Sequence, residues 1–141
     1  MARRKQEYET SDIRVRFDPN LCIHTARCLA GLPAVFDVQR RQWVTPEAAS
    51  PDEVAEVVRR CPSGALQYER LDGGPAEEAD AEASIRTVED GPVYVRGEVA
   101  IIDAAGGVMA AGPRFALCRC GQSENKPFCD NSHRRVGFRA G

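Results

Sequence analysis

Between positions 13 and 18 apolar and charged side chains alternate one for one, Ile13, Val15 and Phe17 against Arg14, Arg16 and Asp18. A period of two predicts a half-buried strand. The pattern then changes. A short helical stretch is expected over 26–32, and the apolar pairs Val35-Phe36 and Trp43-Val44 flank the polar run DVQRRQ, which predicts a hairpin. The strongest helix signal begins at Ser50. Ser-Pro-Asp-Glu sets Ser50 at the N-cap, Pro51 at the first helical position and Glu53 at the third, a capping box. Val54, Val57 and Val58 follow as a stripe at helical spacing, Arg59 and Arg60 complement the C-terminal dipole, and Cys61-Pro62 ends the run. Ala65 to Tyr68 completes a predicted βαββαβ order.

Hydrophobic periodicity vanishes over 72–83, where glycine, proline and acidic residues predict a linker. It returns from Ser84. Val93/Val95 and Val99/Ile101, punctuated by Gly97, Gly106 and Gly107, predict short antiparallel strands, and Phe115 to Cys118 predicts another. The expected fold class is therefore α+β, in two small domains, 1–71 and 84–141, joined by the linker 72–83.

A chain of 141 residues divided this way leaves each half little apolar surface to bury, a circumstance in which bound metal commonly supplies stability. Six cysteines give that idea substance. The opening MARRKQEYET is basic with no apolar run behind it, and no stretch approaches the roughly 18 apolar residues of a membrane helix. A cytoplasmic, reducing setting without membrane attachment is expected, and there grouped cysteines point to metal or redox chemistry rather than disulfides. Charge is uneven. Residues 71–112 carry two Lys/Arg against nine Asp/Glu, while 113–141 carry six against two. The acidic middle argues against nucleic-acid binding. With no Ser/His/Asp triad, phosphate-binding glycine loop or paired catalytic carboxylates in the chain, an enzyme is not expected.

The cysteines form two groups. In CRCGQSENKPFCDNSH, Cys118 and Cys120 lie two apart, so an extended backbone sends both side chains to one face; Cys129 returns later, with His133 one helical turn beyond it. Disulfides are disfavoured because residues two apart bridge poorly. Three thiols and one imidazole are, on ligand count alone, also the donor set of a tetrahedral zinc site. The second group is Cys22, Cys28 and Cys61. Its spacing, Cys22-x5-Cys28 with a distant Cys61-Pro62, fills three of the four positions of a bacterial-type ferredoxin motif, and Thr25 occupies the fourth. His24 sits one position away from that gap. Adjacent residues point in different directions, so a surface histidine or a hydrogen-bond donor to a ligand is preferred over ligation.

Residues 84–140 resemble the CDGSH iron–sulfur, or NEET, family, with Ser123, Pro127, Cys129, Asp130 and His133 in register with its motif. Asn131 stands where the family usually has glycine, and asparagine is the next best residue for a left-handed turn. The resemblance implies a [2Fe–2S] cluster on Cys118, Cys120, Cys129 and His133, with Asp130 capping the turn that carries His133. Arg114, Arg119, Lys126, Arg134 and Arg135 surround the motif and are candidates to offset cluster charge or simply to solvate the surface. Residues 12–70, with CIHTARCLAGLPAVFD, WVTPE and RRCPSGAL, resemble the divergent single-cluster ferredoxin domain of bacteria. That resemblance implies a ferredoxin-like fold with a cluster on Cys22, Cys28 and Cys61. Three cysteines suit a [3Fe–4S] cluster, and a [4Fe–4S] cluster is the alternative. Together the two resemblances imply a one-electron carrier serving redox partners such as a reductase or a cytochrome P450. Cluster transfer to apo iron–sulfur acceptors, or redox and pH sensing, is the alternative, and a zinc-stabilised interaction module is a third reading. The oligomeric state is left open.

Overall fold

The computed structural model describes residues 4–141, which divide into two compact units: residues up to Cys61 with Ala65–Glu77, and Pro62–Gly64 with Glu78–Gly141. Each carries one three-stranded antiparallel sheet, and helices are few and short.

In the first unit β1 (Gln6–Glu9) pairs with β2 (Ile13–Phe17), which pairs with β3 (Leu66–Arg70). Ile13 and Val15 are buried, while Glu7, Glu9, Arg14, Arg16 and Glu69 form ion pairs on the other face. Such solvated pairs contribute little to stability, so burial of the inward face carries the sheet. Between β2 and β3 come α1 (Arg27–Gly31), a single 3-10 turn at Pro46–Ala48 and α2 (Pro51–Arg59). Helix α2 starts on the expected capping box: Ser50 Oγ accepts from the Glu53 amide at 3.2 Å, and Glu53 Oε1 accepts from the Ser50 amide at 3.3 Å. Its Val54, Ala55, Val57 and Val58 pack with Val35, Phe36, Val44, Leu66 and Tyr68 into one core. Trp43 closes the core's rim, edge-on to Phe17 with ring centroids 4.9 Å apart.

The expected βαββαβ order is not found: the first unit runs β1, β2, α1, the 3-10 turn, α2 and β3, and with its three-stranded sheet in each unit the chain is mainly β. The hairpin at 35–44 is reduced to one bridge pair, Phe36 with Val44, flanked by Asp37 N–H to Trp43 O (2.8 Å) and Thr45 N–H to Val35 O (2.8 Å). Local chemistry explains the truncation. Pro33 lacks an N–H, the Arg40 guanidinium donates to the carbonyls of Ala34 and Val35, and Asp37 turns the chain by accepting from the Gln39 amide. Strand β1 was not expected, since Tyr8 is the only large apolar residue in QEYE.

In the second unit β4 (Ser84–Thr87), β5 (Val93–Ile102) and β6 (Val108–Leu117) pair in sequence order. The β5–β6 register shifts between Arg96 and Val99. Gly97 occupies that bulge at φ 128°, a conformation open to glycine, and a Cβ there would sit 2.8 Å from the Ala83 Cα. The core is small: Val95, Phe115, Ala116 and Cys129 are buried, with Phe115 and Phe128 stacked at 5.9 Å. A four-residue helix, α3 (Ser132–Arg135), follows near the end of the chain.

The acidic segment expected as a linker is fastened to each unit in turn. Arg70 pairs with Asp72 and Asp52, each at 2.7 Å, and Glu77 accepts from the Tyr68 amide at 3.0 Å; Asp80 pairs with Arg96 at 2.9 Å in the second unit. Among the described residues no helix is long and apolar enough to cross a membrane.

Removing the α2 cap tests its contribution. Ser50→Ala should lower the stability of the first unit by about 1 kcal/mol in denaturant titration, and Ser50→Asp should restore most of it.

Candidate metal centres

Strand β6 delivers the first two thiols of the second unit. Beyond Leu117 the backbone continues to pair with the returning loop: Leu117 bridges Phe128, the Cys118 amide donates to Pro127 O at 2.8 Å, and the Cys129 amide donates to Ala116 O at 2.9 Å. This short antiparallel register brings Cys118 and Cys129 together across eleven residues of sequence. Gly121 at φ 79° turns the chain after Cys120. Ser123, buried within the loop, donates to Phe128 O at 2.6 Å and accepts from the Asn125 amide at 3.0 Å. Asp130 ties two turns: its Oδ1 accepts from the Ser132 amide and its Oδ2 from the Glu124 amide, both at 3.0 Å. Asn131 adopts the left-handed conformation, φ 71°, required where the family usually has glycine.

The four candidate donors fall into two pairs. Cys118 Sγ and Cys120 Sγ are 3.9 Å apart, and Cys129 Sγ and His133 Nδ1 are 3.6 Å apart. Metal bonds of about 2.3 Å to sulfur and about 2.0 Å to nitrogen, at tetrahedral angles, set edges of about 3.8 Å between two sulfurs and about 3.5 Å between sulfur and nitrogen. Each pair therefore fits two corners of its own metal ion. Among the described residues no group of three or more His, Cys, Asp or Glu side chains gathers to hold one ion. A two-plus-two set fits a dinuclear cluster.

Electrostatics favour the donor forms of Cys118 and His133 but oppose that of Cys129. Partial burial pushes the Cys118 thiol up, but the backbone amides of Ser123, Gly121 and Gln122, with Cys120, outweigh it and hold the thiol below its ordinary value. Burial raises the Cys129 thiol despite the amide of Asn131, which lies 3.4 Å from its sulfur. Burial, then the Arg134 charge, lowers His133 against the opposing pull of Asp130, so the imidazole is neutral at neutral pH. The five flanking cations have separate roles. Arg114 is buried, Arg119 donates to backbone carbonyls, Lys126 donates to Ser123 O at 2.9 Å and Arg135 to Ser132 Oγ at 3.2 Å, which leaves Arg134 as the cation acting on His133.

In the first unit Cys22 lies in the loop after β2, Cys28 in α1 and Cys61 immediately beyond α2, where its amide donates to Val58 O at 3.0 Å. Burial first, then the neighbouring Cys61 and, more weakly, Cys22, push the Cys28 thiol up to about 11. The three expected thiols therefore share one electrostatic neighbourhood. Each iron of a cubane takes one protein donor, so its thiolates stand apart and do not meet at a single ion. His24 and Ala26 both take left-handed backbone, φ 55° and 60°, on either side of Thr25. The reversal folds the exposed His24 ring back until Nδ1 is 3.9 Å from Cys22 Sγ. A donor to a separate iron would stand further from Cys22; this contact suits a hydrogen-bond partner of its sulfur.

The sequence reading named seven candidate donors and missed the partners that fix the loop, among them the bond from the Glu124 amide to Asp130 and the carbonyl contacts of Arg119. No local spacing announces either. The six cysteines are all thiols among the described residues. In the metal-free chain at neutral pH, Cys118 should be alkylated by iodoacetamide well before Cys28, because the first is shifted towards thiolate and the second away from it. Peptide mapping of a timed alkylation reads the order directly.

Comparison with known proteins agrees with this division. Residues 8–71 match the family described as a divergent 4Fe-4S mono-cluster, and residues 90–134 match the iron-binding zinc finger of CDGSH type. The uncharacterized protein YjdI of Escherichia coli K12 is 34% identical over 61 residues, a span covering 43% of this chain and 80% of that protein. The YjdI protein of Escherichia coli O157:H7 matches with the same identity and coverage. The first family's description names a four-iron cluster, in place of the [3Fe–4S] form that three cysteines alone favoured. By sequence, the chain belongs to the divergent 4Fe-4S mono-cluster family over its first unit, and its second unit matches the iron-binding CDGSH family.

Proposed function

We propose that the chain is a two-cluster iron–sulfur protein that carries single electrons. The observation that carries this reading is the two-plus-two donor spacing at 3.9 and 3.6 Å, which fits a [2Fe–2S] cluster, in a chain whose other unit carries three further thiols. On this reading Cys118 and Cys120 hold one iron, Cys129 and His133 the other, and Cys22, Cys28 and Cys61 hold the four-iron cluster with a donor other than cysteine at the remaining iron. Clusters of these types supply one-electron couples when bound.

The chain's own residues adapt the second site to that task. Backbone amides aimed at cysteine sulfur, such as Gln122 N–H at 3.4 Å from Cys120 Sγ, stabilise negative charge there and so favour reduction. His133 contributes a neutral donor where cysteine would bring a charge, which acts in the same direction. Burial of Cys129 and His133 keeps water from one side of the donor set. A carrier rather than an enzyme, working in the cytoplasm with a reductase or cytochrome P450, is the corresponding role.

Reductive titration of the anaerobically reconstituted protein, followed by electron paramagnetic resonance, tests the proposal. Reversible one-electron reduction is expected at both centres. If neither centre cycles within the cellular range, electron carriage is wrong.

The mixed Cys129/His133 pair favours a second reading, cluster donation or pH sensing, because an imidazole must be neutral to bind metal and acid competes for it. Incubation with an apo-ferredoxin separates the two: a carrier keeps its cluster and a donor surrenders it. His133→Cys should extend cluster retention to lower pH and lower the reduction potential. Unchanged acid loss in that variant would remove His133 from the ligand set.

A further inference from the structure

Arg119 lies between two candidate ligands yet its side chain turns away from them. Arg119 lies in the bend that follows β6. There the guanidinium donates from Nε to Gly91 O at 2.9 Å, from Nη1 to Gly141 O at 2.7 Å, and from Nη2 to Val88 O at 2.7 Å and Ala140 O at 3.1 Å. It also lies over the Phe138 ring, 5.2 Å from the centroid. The half-buried arginine thus joins the cysteine turn to two other segments, 88–91 and 138–141.

Those segments are themselves joined. The Asp90 amide donates to Ala140 O at 2.7 Å, Asp90 Oδ1 accepts from the Ala140 amide at 3.0 Å, and Asp90 Oδ2 pairs with Arg139 at 2.8 Å. Bonding to Arg139 and Ala140 holds the Asp90 carboxyl below its ordinary range. From this anchored tail the Phe138 amide reaches back to His133 O at 2.9 Å. A continuous series of contacts therefore runs from the Cys118/Cys120 turn through Arg119 and Phe138 to the backbone of His133.

We infer that Arg119 and Phe138 form a positioning strap that fixes the histidine-bearing turn relative to the Cys118/Cys120 pair. The inference rests on the reading that these four side chains hold a cluster. Its physical basis is the planar fork of arginine: four bonds to fixed carbonyls determine both position and orientation, which the point charge of lysine cannot do. With its charge engaged by backbone carbonyls, Arg119 acts on cluster retention through geometry.

The full-length protein tests this with Arg119→Ala, Arg119→Lys and Phe138→Leu. After identical reconstitution, both Arg119 variants should release iron about tenfold faster than the parent at fixed pH, the scale at which residues supporting metal ligands act. Pulsed electron paramagnetic resonance of the reduced [2Fe–2S] centre should show a broadened nitrogen coupling from His133. Phe138→Leu should fall between, and adding it to Arg119→Ala should cause no further loss, as expected of one coupled unit. In the metal-free chain, hydrogen exchange at the Asp90, Phe138 and Ala140 amides should quicken in the Arg119 variants. Retention of iron by Arg119→Lys at the parent rate, an unchanged nitrogen signature, or unaltered exchange at those amides overturns the strap. If the parent chain takes up no iron and sulfide at 118–133, the cluster reading fails, while the exchange measurement still decides whether the strap exists.

Discussion

The second unit depends on two backbone hydrogen bonds, from Cys118 to Pro127 and from Cys129 to Ala116. They extend the β6 register by one step into a loop that would otherwise be free to wander, and this step sets the separation of the two thiols that begin each donor pair. Side chains then complete what the backbone starts. Ser123 and Asp130 spend their hydrogen-bonding capacity on main-chain groups of the loop, so its polar atoms are satisfied with few apolar contacts. In a unit whose buried apolar set is this small, a preformed polar frame and a bound cluster share the work that a larger core performs elsewhere.

The first unit solves the same problem by different means. Its core is continuous, built from one face of the sheet, one stripe of α2 and the aromatic rim around Trp43. Cys28 is packed against that core, and this explains the strong upward displacement of its thiol. Metal binding there must displace a proton held tightly at neutral pH, whereas Cys118 in the second unit is already biased towards thiolate. The two centres therefore differ in how their apo forms await metal.

Features that depend on neighbours in sequence were legible. The Ser50–Glu53 box, the valine stripe of α2, the alternation of β2 and the left-handed turn at Asn131 are each written in a few adjacent letters. The candidate donors were named from cysteine spacing and from the motifs it resembles. Features that depend on distant partners were not legible. Nothing in QEYE shows that β2 would recruit it as an edge strand, nothing in DVQRRQ shows that Arg40 would take the carbonyls of Ala34 and Val35, and nothing near Arg119 points to residues 88–91 or 138–141. The acidic stretch 72–83 looked featureless because its order comes from Arg70 and Arg96, which lie outside it. The left-handed backbone that folds the His24 ring back towards Cys22 was likewise not legible from the letters around it.

Asn131 has a further consequence through the unfolded chain. A glycine at that turn would enter the left-handed region without steric penalty but would surrender the greatest range of backbone conformations on folding. Asparagine accepts some steric penalty and gives up less freedom. Its side chain narrows the disordered ensemble before any metal arrives, so the loop that must close around a cluster starts its search from fewer shapes.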